Sequence, residues 1–527
     1  MGRAMLRERM AGLFRSRGGV NYGLCLIAVV FFATVVVLPA PRSLVELVSA
    51  REPVGYRLQV GTSTITESVN RILGAELTPL EVAGKAKIMV AVLFTAAFLW
   101  GTEAIPLGAT DLLVGSILYL FFILPLDSIS KAYMKDAVFF IFGVLAIAVG
   151  VGKTGLDRRI GVLLLGRVRN LKYFCFVFLP ILAVVAGFLS EHALMAILVP
   201  VLLRVYRSLC DYHKVETDRA LAVLLVLGVC FALNQGGPGS PAAGGRNAVM
   251  VAYLQDFGQP ISFLQWMLRG MPFVLVISPL IGLYVYLAFR RKMKVQQVDF
   301  SAFVRREVEQ LGPMSGPEKA MAGILVAVMV LWITSSRRFG LGGPCIFGVV
   351  LMLVCRIIRW RDIQHHVRFD VVGLYAAACA IGVGLKLTGA SVWLAQNLID
   401  LMPASMRQGD SLIVGISAFT GTMTNFMSDG ATVAAVGPVA LSMAGLANIH
   451  LWKVGLACSF SSSFANVLIV GTPNNAIAYV GAVDPKSGER LLRLRDFLVH
   501  GLAITVISWL VLWGFTILGY WKWLPWG

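Results

Sequence analysis

Residues 420–441 constrain this chain more than any other stretch. They read Thr-Gly-Thr-Met-Thr-Asn-Phe-Met-Ser-Asp-Gly-Ala-Thr-Val-Ala-Ala-Val-Gly-Pro-Val-Ala-Leu, so hydroxyls, small residues and one acid, Asp429, interrupt a very apolar region. A chain crossing hydrocarbon must satisfy its own backbone N–H and C=O groups. Irregular polar backbone at that depth survives only where protein buries it or water lines it. Thr424 to Gly430 therefore reads as the end of a re-entrant stretch, with hydroxyls and a carboxylate where the next helix begins. A second such stretch, Ala186-Gly-Phe-Leu-Ser-Glu-His-Ala-Leu-Met-Ala-Ile-Leu-Val-Pro200, lies earlier. Paired interrupted segments in corresponding halves point to a binding site at mid-membrane depth.

Composition agrees with an all-α polytopic membrane protein. The chain is 57% hydrophobic and 14% charged, against about 25% charged in soluble domains. The net charge of +18 has two readings. One is short cytoplasmic loops obeying the positive-inside rule; the other is a field that favours anions. Most of the excess lies in short loops, which favours the first, and no nucleic-acid partner is implied. The 8 cysteines fall mostly in apolar runs without metal-ligand spacing. They read as small buried hydrophobes rather than disulfides, and no cofactor is implied beyond a coupling ion.

The chain divides into four parts: 1–85, 86–290, 291–318 and 319–527. A basic arm (Arg3, Arg7, Arg9, Arg15, Arg17) precedes a first span near 23–41, which places the N-terminus in the cytoplasm of a bacterial-type inner membrane. The polar stretch 42–84 then lies outside. Spans are predicted near 86–101, 105–125 and 136–153, with Glu103 before Pro106 read as a cap or loop salt bridge. Arg158, Arg159, Arg167, Arg169 and Lys172 mark a cytoplasmic loop, so a hairpin near 173–190 enters from inside. His192 to about Tyr206 climbs out of it. The stretch 219–234 runs into a Gly/Pro-rich break, Asn234-Gln-Gly-Gly-Pro-Gly-Ser-Pro-Ala-Ala-Gly-Gly-Arg-Asn247, where no helix can continue. A span near 268–290 follows. A hydrophilic connection comes next, with Asp299, Arg305, Arg306, Glu307 and Glu309. Spans resume near 319–335, 343–357 and 371–386, separated by a basic loop whose His365 and His366 read as solvated. A second hairpin near 411–428 and a span to 446 precede 452–470 and the break Val470-Gly-Thr-Pro-Asn-Asn475. The last span, near 499–520, ends in Tyr520, Trp521, Trp523 and Trp526, which read as an interfacial aromatic belt.

The halves repeat. Asp136 and Asp370 lie 234 positions apart, as do Thr154 and Thr388, while Ser190 and Ser428 lie 238 apart and Asn247 and Asn475 lie 228 apart. The span count gives the halves opposite orientation, so the second hairpin enters from outside. That is the inverted-repeat plan of secondary transporters.

Four features together resemble the divalent anion/sodium symporter family, which includes di- and tricarboxylate and sulfate carriers. They are Trp100-Gly-Thr-Glu-Ala-Ile-Pro-Leu107, the two hairpin tips, Phe263-Leu-Gln-Trp-Met-Leu-Arg-Gly-Met-Pro272 and Gly471-Thr-Pro-Asn-Asn475. The resemblance implies about eleven transmembrane helices, two re-entrant hairpins and a homodimer. It also implies an elevator motion of a transport domain against a scaffold. Each tip of that family carries Ser-Asn-Thr, which touches a substrate carboxylate and helps bind sodium alongside carbonyls of the breaks. On this chain the resemblance places substrate at Ser190, Glu191, His192, Arg246, Asn247, Ser428, Asp429, Gly430, Thr472, Pro473 and Asn475. It places a Na⁺ ion at Ser190, Glu191, Gly236, Gly237, Thr424, Asp429 and Gly471.

The chain departs at both tips, which read Ser190-Glu191-His192 and Ser428-Asp429-Gly430, and in the first break, where Arg246 precedes Asn247. Intramembrane charge is costly and marks function, pairing or both. Glu191 and Asp429 have three readings: oxygen ligands that hold Na⁺, proton sites that couple transport to H⁺, or members of ion pairs with His192 and Arg246. Arg246 either anchors an anionic substrate or neutralises Glu191. His192 either carries a proton or packs neutral. Lys153 and Lys386, near helix ends, snorkel or pair. Half-helix N-termini at the tips suit an anion whatever the coupling ion. The sequence thus predicts alternating-access transport of a small anion, dicarboxylate-like or sulfate-like, coupled to Na⁺ or H⁺. The alternatives are a Na⁺-independent carrier or exchanger, a channel, and a membrane-embedded enzyme. The enzyme lacks support from any His-Glu-x-x-His or nucleophile–base motif.

Overall fold

The computed structural model describes residues 19–166, 168–295, 309 and 311–526. The basic arm with Arg3, Arg7, Arg9, Arg15 and Arg17, together with Arg167, Asp299, Arg305, Arg306 and Glu307, lies outside the described residues.

The first apolar run forms α1 (Tyr22–Val37), capped by the Asn21 side chain on Leu24 N at 3.2 Å. The polar stretch after it holds two short amphipathic helices, α2 (Arg42–Ser49) and α3 (Ile65–Leu73). A capping box at Thr78 and Glu81, with Pro79 in the first turn, starts α4 (Pro79–Thr102). Pro106 then separates it from α5 (Leu107–Leu120). Next come α6 (Leu126–Tyr133), α7 (Asp136–Thr154) and α8 (Leu156–Leu165). The first hairpin descends through α9 (Leu179–Ala186) and returns as α10 (Glu191–Tyr212). After it, α11 (Arg219–Gly236) breaks and resumes as α12 (Gly245–Asp256), followed by α13 (Phe263–Phe289).

The same order recurs. The second half has α14 (Gly316–Phe339), α15 (Gly342–Val354), α16 (Trp360–His366), α17 (Phe369–Leu387) and α18 (Ala390–Leu401). Its hairpin is α19 (Gly409–Met423) and α20 (Asp429–Leu446); its broken helix is α21 (Leu451–Ser461) and α22 (Pro473–Gly481). The last helix, Leu494–Lys522, contains two π-helical stretches around α23 (Leu502–Leu510). The described residues contain no β-strand.

Among the described residues nine helices are long and apolar enough to cross a membrane, ten if α1 and α2 form one span bent by 61°. The resemblance implied about eleven, and two of the predicted spans, 105–125 and 343–357, fold as the shorter helices α5 and α15, of 14 and 13 residues. At 1.5 Å per residue these reach about 20 Å, short of a hydrocarbon core of about 30 Å.

The contacts between halves show the inversion. Asp136, at the start of α7, accepts from Leu341 N (2.8 Å) and Gly342 N (3.0 Å), where α15 starts. Lys153, at the end of α7, pairs with Asp362, just beyond the end of α15. α7 and α15 are therefore parallel. Gly108, at the start of α5, likewise lies against Asp370, at the start of α17. Each helix runs parallel to the counterpart of its antiparallel neighbour, so the second half is upside down relative to the first. Close approach of α7 and α15 depends on Gly143, where a Cβ would overlap Cys345.

Lys153 therefore pairs, and its ammonium holds the Asp362 carboxyl below its ordinary range. Lys386 donates to the Asp256 carbonyl. His365 and His366 are exposed, and among the described residues no cluster of three or more His, Cys, Asp or Glu is arranged to hold a metal ion. The linker end is fastened by Arg159, which donates to the carbonyls of Leu311 (3.0 Å), Gly312 (3.0 Å) and Pro313 (3.3 Å) and to Glu318 (2.8 Å).

The expected aromatic belt is corrected. Trp521 is fully buried and donates to the Arg269 carbonyl at 3.2 Å; Trp526 donates to the Trp521 carbonyl at 2.7 Å. The Arg269 guanidinium lies 4.8 Å over Trp452 and 5.0 Å over Trp526. Aromatic faces stabilise that buried cation, so the C-terminal run packs onto α13, and of its tryptophans only Trp523 stands fully exposed.

Candidate functional site

Both hairpin tips are built alike. Ser190 ends the first descent with non-helical backbone (φ −58°, ψ 111°), and its Oγ accepts from Ala193 N at 3.4 Å to cap α10. Ser428 does the same for α20 through Ala431 N, also at 3.4 Å. Each cap leaves an acid, Glu191 or Asp429, as the first helical residue, where the helix dipole favours negative charge.

Both breaks are closed alike as well. Asn247, in the first turn of α12, donates from Nδ2 to the carbonyls of Gly237 and Ser240, each at 2.8 Å. Asn475, in the first turn of α22, donates to the carbonyls of Ala465 (2.7 Å) and Leu468 (2.8 Å). The acceptor pairs are offset by the same 228 positions as the two asparagines. The asparagines thus satisfy irregular backbone that hydrocarbon cannot. A buried amide chain joins the breaks: Asn474 Nδ2 donates to Asn234 Oδ1 (2.8 Å), and Asn234 Nδ2 donates to Asn475 Oδ1 (3.2 Å) and Asn466 Oδ1 (3.1 Å).

The two tips meet at Arg246. Its Nη1 lies 3.2 Å from Glu191 Oε1 and also pairs with Asp429 Oδ2. Arg246 and Glu191 are 2% and 3% exposed. Two carboxylates thus face one guanidinium in a buried setting. Arg246 Nε, Arg246 Nη2 and Glu191 Oε2 have no hydrogen-bond partner. Gly237 makes room for this cation: a Cβ there would overlap Arg246 Nη2 and come within 2.7 Å of Ser463 Oγ. His192 does not join the triad; its Nδ1 bonds Asn474 Oδ1 at 2.8 Å.

A cavity of 260 Å³ opens in front of this triad. Both tips line it (Ser190, Glu191 and His192; Ser428, Asp429 and Gly430), as do Ala242 to Gly245 of the first break and Pro473 of the second. The remaining expected residues stand behind it. Asn247 and Asn475 are spent on break closure. The Thr424 hydroxyl donates to the Ser462 carbonyl at 2.7 Å. Thr472 is buried at the start of α22. Gly236 packs on Ala183 and Ala186, and Gly471 on the Thr424 carbonyl.

The sequence description "Sodium:sulfate symporter transmembrane region" matches residues 72–526. The chain belongs to this family. It is a membrane transporter and not an enzyme. It is similar to the "Sodium-dependent dicarboxylate transporter SdcS" of Staphylococcus aureus strain MSSA476, at 25% identity over 461 residues, covering 82% of this chain and 86% of that one. The SdcS of strain MW2 gives the same figures. Among solved structures, the chain is similar in fold to MtrF of Neisseria gonorrhoeae, with a TM-score of 0.53 at 13% identity over 93% of this chain and 94% of that one.

Within this symporter fold, sequence reasoning missed Tyr375 and Arg368, which line the cavity, and read Glu103, which also lines it, only as a cap or loop salt bridge. Tyr375 explains a departure from the family pattern. A Cβ on Gly430 would overlap its hydroxyl, and a Cβ on Gly245 its ring. The phenol fills space that a larger residue at position 430 would need. The only sequence signal for it was the loss of a side chain at 430.

Proposed function

We propose that the chain is a secondary active carrier that moves a small anion, dicarboxylate-like or sulfate-like, together with a cation by alternating access. One observation carries this reading: both tips and both breaks border a single cavity backed by the Arg246–Glu191–Asp429 triad. Hydroxyls and free N–H groups at two half-helix N-termini can bind anionic oxygens. With both acids ionised, the triad carries one more negative charge than positive, so an anion entering alone would meet repulsion in a poorly solvated site. A cation entering with it removes that penalty. The names of the curated relatives support Na⁺ in this role, with Ser190, Glu191, Asp429 and carbonyls of Gly236, Gly237 and Gly471 as oxygen donors near Thr424. The second reading, a Na⁺-independent proton-coupled carrier or exchanger, is favoured by the acids themselves, because a buried carboxylate can take up a proton.

The orientation follows from charge. The basic loop 356–368 and the basic arm at 3–17 support a cytoplasmic N-terminus, in a membrane read as a bacterial-type inner membrane. Glu103 and Arg368 border the cavity at its cytoplasmic end, so this conformation faces inward. Each chain carries both halves, 86–290 and 319–527, and two copies of the chain would work as a homodimer. In each protomer the hairpins and broken helices would form the moving transport domain.

Ser190→Ala and Ser428→Ala test the site. Each removes one cap, which costs about 1 kcal/mol of stability, and each is expected to cut uptake in proteoliposomes about tenfold or more while size-exclusion behaviour is unchanged. Full uptake in both variants would contradict the assignment.

A further inference from the structure

We propose a second anion-binding site, outside the hairpin cavity and independent of the transport reading. It lies where residues 55–57 and the loop 257–259 meet the ends of α17, α18 and α20. A pocket of 340 Å³ there is bordered by Arg57, Lys386, Gln259, Ser391 and Ser442. Lys386 reaches over the Phe257 ring at 5.4 Å and donates to the Asp256 carbonyl, which leaves two of its ammonium hydrogens for other acceptors. Arg57 runs along the same loop: a Cβ on Gly258 would come within 2.5 Å of its Nη1.

Three polar atoms of the pocket residues have no partner: Ser391 Oγ, Ser442 Oγ and Gln259 Oε1. Both serines are 1% exposed. A buried helical serine ordinarily returns its hydroxyl to the carbonyl one turn back, as Ser461 does to Ala457 at 2.8 Å. Ser391 and Ser442 do not. Unsatisfied buried hydroxyls in one pocket mark the place of a ligand or water. The charges select between them. Asp256, the neighbouring acid, is held by Lys135 at 2.5 Å. Asp256 also attracts Lys386, so this one carboxylate stands against three cations, Lys135, Lys386 and Arg57, and positive charge is left in excess at the pocket. Two cations and two hydroxyl donors suit a small dianion, either an inorganic oxyanion or a dicarboxylate. Ser442 sits on α20, the helix that carries the Ser428 tip at its other end, so this anion would be held by the second hairpin.

The test uses the full-length purified protein at fixed ionic strength, with sulfate and succinate as separate probes in equilibrium binding. In a Ser190→Ala/Ser428→Ala background, one site per chain for at least one probe is expected to remain. Adding Arg57→Gln and Ser442→Ala should weaken it about tenfold or more. Because the Ser442 hydroxyl bonds nothing in the protein, Ser442→Ala alone should leave the ligand-free unfolding temperature unchanged while weakening binding. Binding of neither probe in the tip-variant background would overturn the proposal. So would equal affinity with and without the Arg57 and Ser442 changes, or a loss of binding that tracks a lowered ligand-free unfolding temperature.

Discussion

Arg246→Ala is expected to abolish uptake and to lower the stability of the folded protein by about 3–5 kcal/mol, the range for a buried ion pair that loses one partner. Arg246 Nη1 is the shared partner of Glu191 and Asp429, so its removal leaves two like charges facing each other at the hairpin tips. The tips would separate or take up protons. Arg246→Lys keeps the charge but replaces a planar fork with a point charge, so it should recover part of the stability and little of the uptake. Adding Glu191→Gln and Asp429→Asn to Arg246→Ala removes the repulsion, and should restore the fold without restoring transport. Thermal unfolding in detergent separates these effects from uptake. An Arg246→Ala protein of normal stability would show that the triad does not hold the tips together.

Asn475→Ala and Asn247→Ala are expected to have matching effects, because the two side chains do the same work in the two halves. Each substitution strips donors from two buried carbonyls, Ala465 and Leu468 in one case, Gly237 and Ser240 in the other. Each orphaned group costs about 1–3 kcal/mol, and water cannot repair the loss at membrane depth. Ser459 Oγ also loses its acceptor on Asn247 (2.7 Å). Both variants should unfold at markedly lower temperature and lose uptake. A change below about 0.5 kcal/mol, the range of ordinary surface substitutions, in either variant would contradict the closure role.

The helices were legible because apolar runs ended by Pro, Gly or charge leave few choices of boundary in a membrane. The expected span at 136–153 and the observed α7 (Asp136–Thr154) show how closely. The repeat was legible through Ser190 and Ser428, since a tip needs a capping hydroxyl in both halves. The work of Asn247 and Asn475 was hidden. A sequence marks an asparagine at a break, but only the folded backbone shows whether its amide faces a ligand or neighbouring carbonyls. Tyr375 was hidden too, because a lone phenol in the apolar α17 has no spacing to betray it. The run around Trp521 misled for a related reason. Amphipathic aromatics near a chain end look the same whether they face lipid headgroups or pack on a buried arginine such as Arg269.

Uptake by the purified protein in proteoliposomes tests the central claim most directly. Labelled succinate, citrate and sulfate would each be supplied under an inward Na⁺ gradient and, separately, an inward H⁺ gradient. The account predicts that at least one of these anions accumulates under one of the two gradients, and that Ser190→Ala and Ser428→Ala remove that accumulation. Na⁺ dependence would assign Glu191 and Asp429 as cation ligands, and H⁺ dependence would assign them as proton sites. Accumulation of none of the anions under either gradient, or accumulation that survives both serine substitutions, would contradict cation-coupled transport through the hairpin cavity.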